Sequence, residues 1–153
     1  MNISLGNFDD PRVKALLEYH LRGMHESSPP EYVFALDWTG LQKPEISFYT
    51  GWNDEALVVI GAVRDLGHGT GEIKSMRVDQ DSAGHGYGEA MLLYIIAEAH
   101  KRGLTKLSLE TGSGPAFAAA IGLYRKHGFV EGPEFADYVK SEFSTFMHRN
   151  LSN

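Results

Sequence analysis

A strand, a glycine-rich loop and a helix start follow one another from residue 72 onward, and this order constrains the chain more than any other feature. Residues 72–78 alternate as a strand, which sets Glu72, Lys74, Met76 and Val78 on one side and Ile73, Ser75 and Arg77 on the other. Gly84-His85-Gly86-Tyr87-Gly88 comes next, and residues 87–102 then read as a mostly apolar, buried helix that Gly103 ends. Glycines let backbone N–H groups turn inward and approach an anion closely, and a helix N-terminus adds a favourable dipole. The segment is therefore a phosphate cradle or a plain hairpin-to-helix turn. A P-loop needs Gly-Lys-Ser/Thr at the helix start, whereas Gly88 is followed by Glu89 and Ala90. The dinucleotide fingerprint G-x-G-x-x-G/A would have its last small residue at Glu89 or Met91. Neither nucleotide pattern fits the G-x-G-x-G spacing found here.

The remaining elements frame this segment. Residues 2–5 read as an edge strand. Asp9 or Asp10 offers an N-cap before Pro11, and Val13, Leu16, Leu17, Leu21 and Met24 follow at helical spacing. Ser28-Pro29-Pro30 breaks that helix, and residues 31–36 read as one short helical turn. Strands are expected at residues 45–52 and 56–63, with turns at 53–55 and 66–71, so the strand at 72–78 completes an antiparallel meander. In the second half, a strand at 107–109, a helix at 115–127 ended by Gly128, a strand from Phe129 and a last strand at 144–151 are expected. Meander first, helix-to-strand crossover second, gives an α+β chain with a mixed, mostly antiparallel sheet.

The 153 residues suffice for one domain, 1–153, that buries roughly 70% of its unfolded surface. A net charge of −6 argues against nucleic acid as a partner, since nothing would drive attraction to phosphate backbones. With no cysteine, disulfides, zinc thiolates and thiol catalysis are excluded. The seven histidines have no metal spacing such as H-E-x-x-H, so no metal site is expected. The first ten residues do not read as a signal peptide, and no apolar run is long enough to span a bilayer. A cytoplasmic, membrane-free location is expected.

The loop becomes specific when read with a second segment. Val78, Gly86 and Gly88 fit V-x-x-x-x-Q/R-x-x-G-x-G/A, which resembles motif A of the GNAT superfamily. Ala120-Ile121-Gly122-Leu123-Tyr124-Arg125-Lys126-His127-Gly128-Phe129 is similar to that family's A-x-x-L-Y-x-K-x-G-F segment. Two positions depart from the pattern: Ala83 stands where Gln or Arg is usual, and Phe117 where Asn is common. Shorter stretches, among them Ser28-Pro29-Pro30-Glu31 and Leu109-Glu110-Thr111-Gly112, look like a bacterial subgroup of small-molecule acetyltransferases.

The resemblance implies a GNAT acyl-CoA N-acyltransferase fold with helices on both sheet faces. It also implies acetyl-CoA as co-substrate, a small-molecule or peptide amine as acceptor, direct attack in a ternary complex, and possible homodimers. A non-catalytic acyl-CoA-binding or regulatory module is the alternative. By resemblance the pantetheine arm pairs with the backbone of Met76, Arg77 and Val78, and the phosphates meet Ala83, Gly84, His85, Gly86, Tyr87, Gly88 and Glu89, with Phe117 nearby. Tyr124 matches the family's general acid for the leaving thiolate. An amine of pKa near 10.4 must lose a proton before it attacks. Glu72, six residues before Val78, is the first candidate base, on a face shared with Met76 and Val78. Glu110 is the second. Trp38, Tyr49, Trp52, Phe135 and Tyr138 are candidates to line the acceptor pocket, and Asp137 to hold a cationic amine.

Overall fold

The computed structural model describes residues 1–151. Strand β1 (Asn2–Leu5) leads to helix α1 (Pro11–Ser27), whose Asp10 cap accepts from the Arg12 amide while Pro11 opens the first turn. Strands β2 (Ile46–Asn53), β3 (Ala56–Gly67) and β4 (Thr70–Val78) form the meander. Helix α2 (Tyr87–Lys101) crosses over to β5 (Lys106–Gly112), and α3 (Ala118–Lys126) precedes β6 (Val130–Glu131) and β7 (Ser144–Asn150). The order across the sheet is β1-β2-β3-β4-β5-β7-β6, antiparallel throughout except for β4 and β5. A parallel pair needs a long crossover, which α2 supplies.

Two apolar clusters cover the two faces. Helices α2 and α3 pack on one, through Met91, Leu92, Ile95 and Tyr124 against Val59, Val63, Ile73 and Leu109. Helix α1 packs on the other, through Val13, Leu16 and Leu17 against Phe48, Ile60 and Ala62. Each helix has an apolar stripe, and the sheet between them has two apolar faces, so neither side is left open to water. Among the described residues no helix is long and apolar enough to cross a membrane.

Several boundaries differ from the sequence expectation. Strand β3 runs on to Gly67, because the turn needs only Gly67-His68-Gly69, all at positive φ. Residues 31–36 hold just a 3-10 turn at Pro30–Tyr32. Pro115–Phe117 is another 3-10 turn, so α3 starts three residues late.

The most consequential difference lies inside β4. Opposite Ile60 and Ala62 stand Arg77 and Lys74, so two steps on β3 face three on β4. This is a β-bulge, and Ser75 adopts a φ of +56° within it. One extra residue inverts the side-chain parity beyond it. Ile73, Met76 and Val78 pack with α2; a Cβ on Gly61 would lie 2.8 Å from the Met76 sulfur and 2.9 Å from Met91. Glu72, Lys74 and Arg77 lie on the α1 face. Glu72 therefore does not share a face with Met76 and Val78, as unbroken alternation predicts.

Candidate active site

Strands β4 and β5 pair only from Thr70↔Lys106 to Ile73↔Leu109. Beyond that point β4 keeps β3 on one side, β5 keeps β7 on the other, and the two strands part. A cleft of about 180 Å³ occupies the divergence, and both Glu72 and Tyr124 line it. Along this edge the backbone of residues 74–78 has no strand partner toward β5.

The glycine loop follows β4 beyond the point where it has left β5. Asp79 accepts from the Asp81 amide and caps a 3-10 turn at Gln80–Ser82. Gly84 and Gly86 follow at φ of +81° and +78°, and a Cβ at either would meet nothing within 4 Å. Their role is conformational, and it leaves the space before them free. Gly86 is the α2 N-cap, so no side chain caps that helix and its first amides lack an intrahelical acceptor. This end thus fits an anion: it combines left-handed glycines, exposed amides and the positive helix end.

The other predicted cradle residues divide. Ala83 and His85 are exposed, and the His85 ring tilts against Tyr87 at 5.7 Å. The Tyr87 hydroxyl accepts from Asn53 Nδ2 at 3.0 Å. The Glu89 carboxylate turns away to α3, accepting from Lys126 Nζ at 2.6 Å and bonding His127 Nε2 at 2.9 Å. Those bonds hold its carboxyl below the usual range. Only the Glu89 amide remains at the cradle. Phe117 is buried against Phe143 and fills the space above Gly112, where a Cβ would come within 2.5 Å of its ring.

Glu72 is 1% exposed. Its Oε2 accepts from Tyr138 Oη at 2.5 Å and from Lys74 Nζ at 3.3 Å, and Lys74 also donates to Tyr138 at 3.0 Å. Burial, then the neighbouring Glu72 charge, push the Tyr138 phenol up, so it keeps its proton and donates. Oε1 of Glu72 is buried with no partner. A buried carboxylate oxygen without a donor costs free energy, and it stands at a cleft where a donor can enter.

Tyr124 is buried and meets Phe129 edge-on at 5.8 Å. Burial pushes its phenol up to about 12, so it remains a proton donor at neutral pH. Glu110 also lines the cleft, and burial raises its carboxyl.

Of the aromatic candidates, only Tyr138 lines the cleft. Phe135 packs behind it at 5.1 Å. Trp38 stacks edge-on with Phe8, Trp52 carries the Arg12 guanidinium at 4.5 Å, and Tyr49 is a core residue bonded to Arg102. Those three belong to other parts of the fold, and Asp137 is exposed. Sequence reasoning missed His20. It is buried, lines the cleft, and its Nδ1 accepts from Arg77 Nε at 3.0 Å. The signal was present: His20 falls on the stripe of Val13, Leu16 and Leu17, where a polar residue needs a partner.

A mixed sheet that opens between its parallel strands onto an uncapped helix, with a buried acid and a buried phenol in the opening, defines an acyl-transfer enzyme of the CoA-dependent kind. Residues 13–129 match the family described as "Acetyltransferase (GNAT) family". The chain belongs to that family and is a GNAT-type N-acetyltransferase. YedL of Escherichia coli (strain K12), an uncharacterised N-acetyltransferase, is 40% identical over 149 residues, 97% of this chain and 94% of YedL. YsnE of Bacillus subtilis (strain 168), named likewise, is 40% identical over 151 residues, 99% of this chain and all of YsnE. The crystal structure of a candidate acyl-CoA N-acyltransferase from Klebsiella pneumoniae subsp. pneumoniae superposes with a TM-score of 0.79 at 27% identity, covering 99% of this chain and 97% of that one.

Proposed function

We propose that the chain, acting as one domain, transfers an acetyl group from acetyl-CoA to the amine of a small molecule or peptide by direct attack. The observation that carries this reading is the orphaned Glu72 Oε1 in the same cleft as Tyr124. The glycine cradle, with the amides of residues 84–89, takes the phosphates, and the β4 backbone at Met76, Arg77 and Val78 takes the pantetheine arm. Backbone amides in this stretch also stabilise the developing oxyanion.

Glu72 receives the ammonium proton at Oε1, while Tyr138 and Lys74 hold Oε2 and fix the carboxylate plane. The neutral nitrogen then forms a bond to the thioester carbonyl carbon. The carbon–sulfur bond breaks, Tyr124 gives its proton to the departing thiolate, the acetylated nitrogen sheds its second proton to solvent, and solvent reprotonates Tyr124. Glu110, whose carboxyl burial raises, is the second group able to accept a proton in this cleft.

A thermal-shift comparison tests the co-substrate. CoA at 100 times its Kd adds roughly 2.7 kcal/mol to stability. Stabilisation by CoA and none by NAD or ATP is expected; stabilisation by a nucleotide alone contradicts the reading.

A further inference from the structure

Arg77 is a cation without an anion. Among the described residues no carboxylate lies within salt-bridge distance of it. Its guanidinium is half-buried on the wall of the cleft, and neither acid of that cleft pairs with it. Glu72 is committed to Lys74 and Tyr138, and Glu110 makes no bond to Arg77. The surroundings hold the side chain in place. His20 Nδ1 accepts its Nε proton at 3.0 Å, the Tyr19 ring lies 5.7 Å from its Cζ, and Gly23 of α1 leaves it room. A Cβ on Gly23 would lie 3.1–3.4 Å from the guanidinium atoms. His20 is a neutral partner, so it orients the fork and leaves the charge uncompensated. A partly desolvated charge costs free energy unless something pairs with it, and an otherwise acidic chain has spared no acid for it.

The bulge at Ser75 determines what this cation can meet. It turns Arg77 to the α1 face, the face of Glu72 and Lys74, whereas the glycine cradle leads into α2 on the other face, where a Cβ on Gly88 would lie 3.4 Å from Val78. The free guanidinium thus shares the acceptor side with Glu72. Among the described residues its Nη1 and Nη2 have no hydrogen-bond partner, and they present a fork that matches a carboxylate.

From this arrangement we infer that the acceptor amine also carries a carboxylate, which Arg77 binds while Glu72 faces the amine. This rests on the acetyl-transfer reading above and adds a substrate class to it. A single arginine balances the single charge of a carboxylate, which favours an amino acid over a phosphorylated amine.

The test uses a panel of free α- and ω-amino acids, each beside its primary amide. KM is measured with acetyl-CoA for wild type, Arg77→Gln and Arg77→Lys. The readout is the amide-to-acid KM ratio of wild type divided by that of Arg77→Gln, which cancels the difference in amine basicity between each pair. A charge-assisted pair predicts a quotient of roughly 10 to 100 for the preferred acceptor. Arg77→Lys, which keeps a cation but not the fork, should retain part of the preference and covers the case in which Arg77→Gln does not fold. A quotient near one with normal turnover overturns the carboxylate site and leaves acetyl transfer standing, as does a loss confined to CoA affinity. A second arm needs no turnover: the acids and amides are compared for thermal stabilisation of the CoA-saturated protein. No turnover of any amine, with stabilisation by the acid form that Arg77→Gln abolishes, overturns acetyl transfer and supports the site. Neither turnover nor acid-specific stabilisation overturns both.

Discussion

Glu72 and Tyr124 belong to opposite faces of one sheet and line one cleft. Glu72 pairs with Arg64 of β3 on the α1 face, whereas Tyr124, on α3, belongs to the cluster of Ile73 and Leu109 on the other face. They can reach the same space only because β4 and β5 part after Ile73 and Leu109. A carboxylate and a phenol thus reach one space from two sides, and in the proposed reaction they serve there as proton acceptor and proton donor. Among the described residues the Glu72 carboxylate bonds Lys74 and Tyr138 and not the Tyr124 phenol.

Glu72→Gln removes the acceptor while keeping the shape. A loss of roughly 10²-fold or more in kcat/KM is expected. The deficit should shrink as pH rises toward the amine's own pKa of about 10.4, where the acceptor is neutral without help. Tyr138→Phe leaves Oε2 with Lys74 alone and should cost less than Glu72→Gln. A pH–rate profile of the three proteins checks this; a Glu72→Gln deficit that stays constant with pH would point to a structural role.

Burial of Tyr124 makes a stability prediction independent of catalysis. Its phenol is raised from 10.0 to about 12 in the folded chain, so the unfolded chain loses its proton first. The contribution is whole below pH 10 and falls as pH rises from 10 to 12. At about 1.4 kcal/mol per unit, the loss is about 2–3 kcal/mol. Urea unfolding of wild type and Tyr124→Phe should therefore diverge in slope above pH 10, with wild type the steeper; parallel curves would contradict the burial argument.

His20 gives the opposite sign. Burial, with the Arg77 charge beside it, lowers its imidazole from 6.5 to about 3. The unfolded chain takes up the proton first, so this contribution is whole above pH 6.5 and is lost as pH falls toward 3. The upper bound is about 3–5 kcal/mol. His20→Gln should be less stable than wild type at pH 7 and should lose less between pH 6.5 and 3, as followed by circular dichroism. Equal losses in the two proteins would remove His20 from the account.

The bulge is testable at Ser75, whose left-handed φ costs a side chain roughly 1–2 kcal/mol. Its hydroxyl is buried without a partner, so nothing offsets that strain. Ser75→Gly should be neutral or stabilising by up to about 1 kcal/mol, and Ser75→Val destabilising by about 2 kcal/mol or more. Chemical denaturation of both variants measures it, and a stable Ser75→Val would mean that the strand straightens.

The same bulge marks where sequence reading stops. The meander, the crossover helix and the glycine loop were legible because each rests on local periodicity or on residues with special backbone freedom. The Asp10 cap before Pro11 and the Gly103 stop are examples. Tyr124 was legible as part of a motif. The orientation of Arg77 was not, because one inserted residue reverses every later side chain and Ser75 carries no sign of it. Trp38 and Trp52 read as pocket aromatics for a related reason. Composition names large apolar surfaces, whereas tertiary packing decides which cluster they fill. The Glu72–Lys74–Tyr138 network joins residues 66 apart in sequence, a distance over which no spacing rule operates.

An acetyl group moved onto an amine in this cleft would leave two products, the free CoA thiol and the amide. Amine-dependent release of the CoA thiol, measured together with the mass of the N-acetylated product, tests that transfer most directly. Wild type should release thiol in step with product, and Tyr124→Phe should bind CoA as tightly but turn over roughly 10²-fold more slowly. Tight CoA binding with no amine-dependent thiol release, or turnover unchanged in Tyr124→Phe, would contradict the account.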